Sequence, residues 1–162
     1  MKLTQTNLRI KSEHRVIASY QIDFYGYFGW PTIARMPGGT VVAAASGLRN
    51  NHVCPFGRVE LIRSADEGRT WTWPRVVMDG AIDDRDAGVL ETSRGTILVT
   101  TFTSLAFEDE SHLGWMRRMH PGADELFDSW RPYAARITPQ DRQLRGRWTR
   151  RSEDGGKTWD EW

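Results

Sequence analysis

Ser64-Ala65-Asp66-Glu67-Gly68-Arg69-Thr70-Trp71 and Ser152-Glu153-Asp154-Gly155-Gly156-Lys157-Thr158-Trp159 carry serine, aspartate, glycine, threonine and tryptophan at the same offsets. A repeat of this kind decides the architecture before any other feature is read. The Asp carboxylate can accept backbone N–H groups of its own turn, and the Gly two residues later adopts positive φ without a Cβ clash. Ser and Thr hydroxyls close further local bonds. The Trp is a broad apolar plate that wedges the turn against a neighbouring sheet. This is the chemistry of a turn, and two copies of it predict an array of β-hairpins.

Working outward from the first copy, residues 32–36 and 40–46 are β-rich runs on either side of Pro37-Gly38-Gly39. Residues 58–64 lead into the turn and 72–78 follow it, so four antiparallel strands make one sheet. A second group runs through 87–92, the turn Ser93-Arg94-Gly95, 96–103 and 147–152, with its fourth strand barely begun at Trp162. Residues 15–24 read as one or two further strands. The two repeats lie further apart than the ~40–45 residues of a four-stranded propeller repeat. The surplus falls at about 104–146, where 121–130 predicts a short helix ended by Pro132. Residues 1–162 are thus expected to form one domain, with a first sheet at about 30–78 and a second at about 86–162.

Antiparallel strands alternate direction, so turns of one parity share one end of a sheet. Both repeated turns then lie at one end. The opposite end collects 25–30, 47–57, 79–86 and the insertion, and any functional site is expected there. Asp83-Asp84-Arg85-Asp86 places three carboxylates and a guanidinium just before an inner strand. Crowded carboxylates raise one another's pKa, which keeps an acid protonated near neutrality. Asp86 is the candidate catalytic acid, and the same cluster reads equally as an arginine bridging two acids in a surface turn. Arg49 is the candidate clamp on a carboxylate. Asp84, Arg85, His52 and Trp30 complete the candidate substrate-binding set, Trp30 as a plate for a sugar face. His52 and Cys54 stand one residue apart without a third or fourth ligand, so no metal is assigned, and no cofactor is implied.

The paired turns resemble the Asp-box, or bacterial neuraminidase repeat, of the sialidase-like six-bladed β-propeller superfamily. The matching positions are Ser64, Asp66, Gly68, Thr70 and Trp71, and Ser152, Asp154, Gly156, Thr158 and Trp159. The resemblance implies that these residues are structural, joining the third and fourth strands of a blade. It covers roughly residues 30–162 and implies about two blades of six, so the chain is expected to be an N-terminal part of a longer propeller. In that family a Phe-Arg-Ile-Pro motif supplies one of three arginines that grip the substrate carboxylate. Here the matching positions are Phe28-Gly29-Trp30-Pro31, with Gly29 in place of the arginine. Arg49 matches a loop arginine of the family, and Asp86 falls where the family has a further Asp opening the second blade. The family's nucleophilic Tyr, its partner Glu and the other two arginines belong to later blades. The resemblance implies an exo-acting glycoside hydrolase on sialic acid or another acidic sugar. The alternative is a propeller that binds glycans or a protein partner without hydrolysis.

Composition narrows the field. The chain has 162 residues, 39% of them hydrophobic, enough for one globular core. Twenty-two basic and 21 acidic residues leave a net charge of +1, with no field for nucleic acid. Val41-Val42-Ala43-Ala44-Ala45 is the longest apolar run, so no membrane span is expected, and the amino terminus lacks an apolar signal-peptide region. The chain as written is expected in the cytoplasm, or in an extracellular or periplasmic space if an upstream segment precedes it. Cys54 is the single cysteine, which excludes an internal disulfide. Two sheets alone would leave strand edges unpaired, and self-association through them is expected.

Overall fold

Two antiparallel sheets dominate the computed structural model, which describes residues 11–21 and 24–161. Strands β1 (Tyr27–Arg35), β2 (Val41–Arg49), β3 (Arg58–Ser64) and β4 (Arg75–Met78) lie side by side in chain order in the first sheet. Strands β5 (Asp83–Glu91), β6 (Ile97–Ser104) and β7 (Gly146–Ser152) form the second. Alternation along the strands sends Val42, Ala44, Val59, Leu61 and Val77 of the first sheet against Ala87, Ile97 and Val99 of the second. Removing each such aliphatic side chain from water stabilises the packed pair by ~1.5–3 kcal/mol, fully for Val and less for Ala.

The twin turns have the same hydrogen bonds. In the first, Gly68 N donates to Ser64 Oγ at 2.7 Å, Thr70 N to Asp66 Oδ1 at 2.8 Å and Thr70 Oγ1 to Asp66 Oδ2 at 2.7 Å. In the second, Gly156 N donates to Ser152 Oγ at 2.8 Å, Thr158 N to Asp154 Oδ1 at 2.9 Å and Thr158 Oγ1 to Asp154 Oδ2 at 2.6 Å. Gly68 and Gly156 sit at φ +88° and +84°, where a side chain would be strained. The second turn docks on the first sheet. Arg150 donates to Val77 O at 2.6 Å, Asp160 O at 2.6 Å and Trp159 O at 3.2 Å, so one guanidinium joins both sheets.

Several boundaries differ from the sequence reading. The first sheet's last strand starts at Arg75 rather than residue 72, because Thr72 is held back by the turn through Thr72 N–Arg63 O at 2.8 Å. Asp83-Asp84-Arg85-Asp86 opens β5 itself rather than preceding it, since Asp83 and Asp84 already pair with Ser104 and Thr103. The second sheet has three strands among the described residues. Of the expected strands at 15–24, residues 22 and 23 lie outside the described residues and the rest form none. Tyr20 instead donates its hydroxyl to the buried Glu60 at 2.7 Å and stacks on Phe28 at 5.0 Å.

The insertion holds two helices instead of one. Helix α1 (Glu110–Met119) escaped the sequence reading, although its signal is plain in retrospect: Asp109 caps it by accepting from Ser111 N and His112 N. Helix α2 (Ala123–Ala134) begins after Gly122 and contains Pro132 rather than ending before it. One backbone bond lost at the proline is outweighed by burial of Phe127 and Trp130 with Met116 of α1 against Val53, Cys54 and Ile82. Among the described residues, no helix is long and apolar enough to cross a membrane.

Candidate functional site

Both inner strands break register at the same level. The β1–β2 pairing slips between Gly29 and Thr32, and the β5–β6 pairing slips between Arg85 and Gly88. Trp30 and Asp86 occupy these bulges with left-handed backbones, φ +49° and +54°, and Thr32 Oγ1 ties the strands together through Ala87 O at 3.1 Å. Leu48, two residues after Ser46 on β2, is left-handed too, at φ +52°. A non-glycine residue in this region costs about 1–3 kcal/mol, a strain that gathers where side chains must be re-aimed. Here the bulges turn Trp30, Arg85 and Asp86 toward one rim, the end opposite the twin turns.

Under that rim Arg49 and Asp83 form a closed pair. Arg49 Nη1 donates to Asp83 Oδ1 at 2.6 Å and Nη2 to Oδ2 at 3.0 Å, and both side chains are wholly buried. Nη1 also donates to Ser46 Oγ at 2.9 Å, and Nη2 to His52 O at 2.9 Å. Arg49 was expected to clamp a substrate carboxylate; the carboxylate it clamps in the structure is that of Asp83. Gly57 permits this, since a Cβ there would lie 2.0 Å from Arg49 Nη1 and 2.1 Å from Asp83 Oδ1.

Arg85 is held differently. Its guanidinium carbon lies 4.5 Å from the Trp30 ring centroid and 5.4 Å from that of Phe102, sandwiched by two π faces. Its nearest carboxylate contact is 3.9 Å, to the Asp83 Oδ2 already engaged by Arg49, and its Nε has no partner. Burial, with the repulsion of Arg49, pulls the Arg85 pKa down against the pull of Asp83 and Asp86. Arginine stays charged regardless. Arg85 is therefore a 7% exposed cation without a carboxylate of its own. Arg85 Nη2 lies 3.4 Å from His52 Nε2, and because guanidinium only donates, His52 must carry its proton on Nδ1 for this contact to bond. Burial and then the charges of Arg85 and Arg49 lower the His52 pKa, which favours that neutral ring. His52 packs on Trp30 at 5.0 Å.

The acids separate by environment. Asp84 is buried, accepts from Gly80 N at 2.6 Å through Oδ2 and leaves Oδ1 without a partner. Burial, reinforced by Asp83 and Asp79, raises its pKa to about 7. Burial pushes Asp83 up as well, against the pull of Arg49. The raised acids of this cluster are thus the inward Asp83 and Asp84, with burial rather than crowding as the main cause. Asp86 is exposed and borders an open groove with Thr100, Phe102 and Arg147. Five of the six buried polar side-chain atoms without a partner among the described residues belong to Arg49, Asn50, Asp84, Arg85 and His112, at or beside this rim. The sixth belongs to Glu91. Sequence reasoning missed Phe102, Gly57, Asn50 and both bulges; only Gly57 offered a signal, as a glycine beside a strand. Among the described residues, no group of three or more His, Cys, Asp or Glu side chains is placed to hold a metal.

No protein-family model matches the sequence, and no curated protein matches it. Solved structures share its fold. A protein of unknown function from Dyadobacter fermentans superposes with a TM-score of 0.53 at 18% identity, over 90% of this chain and 38% of that one. The NanB sialidase of Streptococcus pneumoniae gives 0.50 at 15% identity, over 59% of this chain and 19% of that one. A Hadza microbial sialidase, Hz136, gives 0.50 at 20% identity, over 90% and 27%. The chain has an all-β, sialidase-like fold and spans 19% to 38% of the length of these neighbours.

Proposed function

We propose that this chain, with its sialidase-like fold and an arginine short of counter-charge at its rim, is part of a glycoside hydrolase acting on glycans that end in an acidic sugar. The observation that carries this reading is Arg85: a guanidinium fixed between Trp30 and Phe102, with Asp83 taken by Arg49, is completed by a carboxylate from outside. Such a bond, formed in a partly dry site, is stronger than its counterpart in water. Trp30 flanks the sugar. The twin Asp-box turns at the far end hold the sheets whose inner strands carry the site.

Asp86 is the acid of the proposed reaction. It gives its proton to the glycosidic oxygen as the bond to the anomeric carbon breaks, and recovers one from the water that delivers hydroxide to that carbon. Groups on further sheets supply the nucleophile, as the resemblance implies. Arg49 and Asp83 act beneath the site by holding β2 and β5 in register, and Asp84 stays inside the protein.

Aryl sialosides and other aryl glycosides assayed on the complete gene product test the reading. Asp86→Asn is expected to lower turnover by a hundredfold or more, and Arg85→Met to raise KM for acidic glycosides selectively. Binding of acidic sugars without turnover would favour the non-catalytic alternative. Indifference to both substitutions removes the proposal.

A further inference from the structure

The twin turns flank a cavity at the end of the sheets opposite the rim. Its volume is about 220 Å³, and Leu61 of β3, Val77 of β4 and Trp159 of the second turn form its apolar walls. Leu61 and Val77 are buried in the core while Trp159 is half-buried, so the cavity has two fixed aliphatic walls and one broad aromatic side. Arg63 and Arg75 line it as well, and no carboxylate does.

Both arginines are short of counter-charge. The Arg63 guanidinium lies over the second turn, where a Cβ added at Gly155 or Gly156 would stand 3.9 Å from Nη2 or 3.8 Å from Nη1. It has no hydrogen-bond or ion-pair partner among the described residues. Arg63 is only half-buried, and none of its nitrogens is among the buried atoms without a partner, so its fork is open to a ligand. Arg75 reaches Gly156 O at 3.4 Å and Lys157 O at 3.3 Å, long bonds to neutral carbonyls. An acid entering the cavity meets two cations and no competing anion.

We propose that this cavity binds a small organic acid whose carboxylate pairs with Arg63 and Arg75 and whose single ring lies against Trp159, Leu61 and Val77. A planar carboxylate matches the guanidinium fork through two parallel bonds. A bare anion would leave the apolar walls unfilled, and an extended ligand needs more room, since pockets for drug-sized molecules run to ~300–1,000 Å³. The site is independent of the rim. Arg85 and Asp86 take no part in it, and it stands whether or not the chain acts on glycans.

Benzoate, benzamide and inorganic sulfate are the probes, titrated into the protein while the Trp159 indole N–H resonance, assigned through Trp159→Phe, is followed by NMR. Benzoate is expected to shift that resonance saturably and to bind about tenfold or more tightly than benzamide, which has the ring without the charge, or sulfate, which has charge without the ring. Arg63→Gln should weaken benzoate about tenfold. Ala65→Leu, which fills the cavity from an exposed position on its lining, should abolish the shift. The fold tolerates both, because the Arg63 guanidinium has no partner to lose and Ala65 is at the surface. Arg85→Met should leave the Trp159 titration unchanged. Absence of a benzoate shift, equal binding of benzamide or of sulfate, a response that survives Ala65→Leu, or one that vanishes with Arg85→Met each overturns the site.

Discussion

Arg49 and Asp83, 34 residues apart in sequence, meet through two parallel hydrogen bonds of 2.6 and 3.0 Å with neither side chain exposed. The pair links β2 of one sheet to β5 of the other. Removing one member leaves the other buried and uncompensated, a loss of about 3–5 kcal/mol. Asp83→Ala is therefore expected to destabilise by that order in urea titration. Joint replacement by Arg49→Met and Asp83→Leu should cost much less than the sum of the single changes.

Gly57 is the space in which that pair is built. Because an added methyl would overlap Arg49 Nη1, Asp83 Oδ1 and the backbone oxygen of Asp84, at 2.7 Å, the neighbours have no free direction in which to yield. Gly57→Ala should lower stability by ~2 kcal/mol or more. Gly38→Ala, where nothing lies within 4 Å of the added carbon, is the control and should leave the melting temperature nearly unchanged.

Asp84 imposes a pH dependence of definite sign. Its pKa is raised from 3.8 to about 7 on folding, so the folded state holds a proton that the unfolded chain releases. Its contribution is fully present below pH 3.8 and declines as pH rises to about 7, levelling off beyond. At ~1.36 kcal/mol per pKa unit the full effect is on the order of a few kcal/mol. Asp84→Asn removes that slope. The variant's stability relative to the parent is expected to be greater at pH 8 than at pH 4.5, as read from chemical denaturation at the two values.

The twin turns act with the opposite sign in a lower window. Hydrogen bonds from Thr70 and Ser64 hold Asp66 down at about 2, and those from Thr158 and Ser152 hold Asp154 lower still. Their support is complete above the ordinary carboxylate value of 3.8 and fades as pH falls toward 2. Carrying Asp66→Asn and Asp154→Asn together should flatten the acid limb of the stability profile below pH 4 while leaving the Asp84 slope in place.

The fold was readable because its punctuation is local. Each twin turn satisfies its own backbone within eight residues, so its spelling alone announces it, and the alternation in 58–64 and 96–103 needs no distant partner to be recognised. The rim was only half readable for the converse reason. A left-handed backbone is one that a bulky residue such as Trp30 avoids and that an aspartate such as Asp86 adopts only in particular settings, so neither letter advertises it; contact between β1 and β5 imposes it. Arg49 and Arg85 were indistinguishable as letters, and only the close approach allowed by Gly57 sends one inward and leaves the other at the rim. Helix α1 was missed because its apolar contribution is narrow, with Met116 as its one buried residue, so periodicity was faint and the Asp109 cap was the better cue.

Arg150 deserves its own experiment. Because its guanidinium grasps carbonyls of β4 and of the chain after the second turn, neither half can part from the other without stranding donors. Heating the protein should then show one calorimetric peak, and the amides of β3 and β6 should exchange with deuterium at a common rate. In an Arg150→Met variant that synchrony should be lost, and each half would melt on its own schedule.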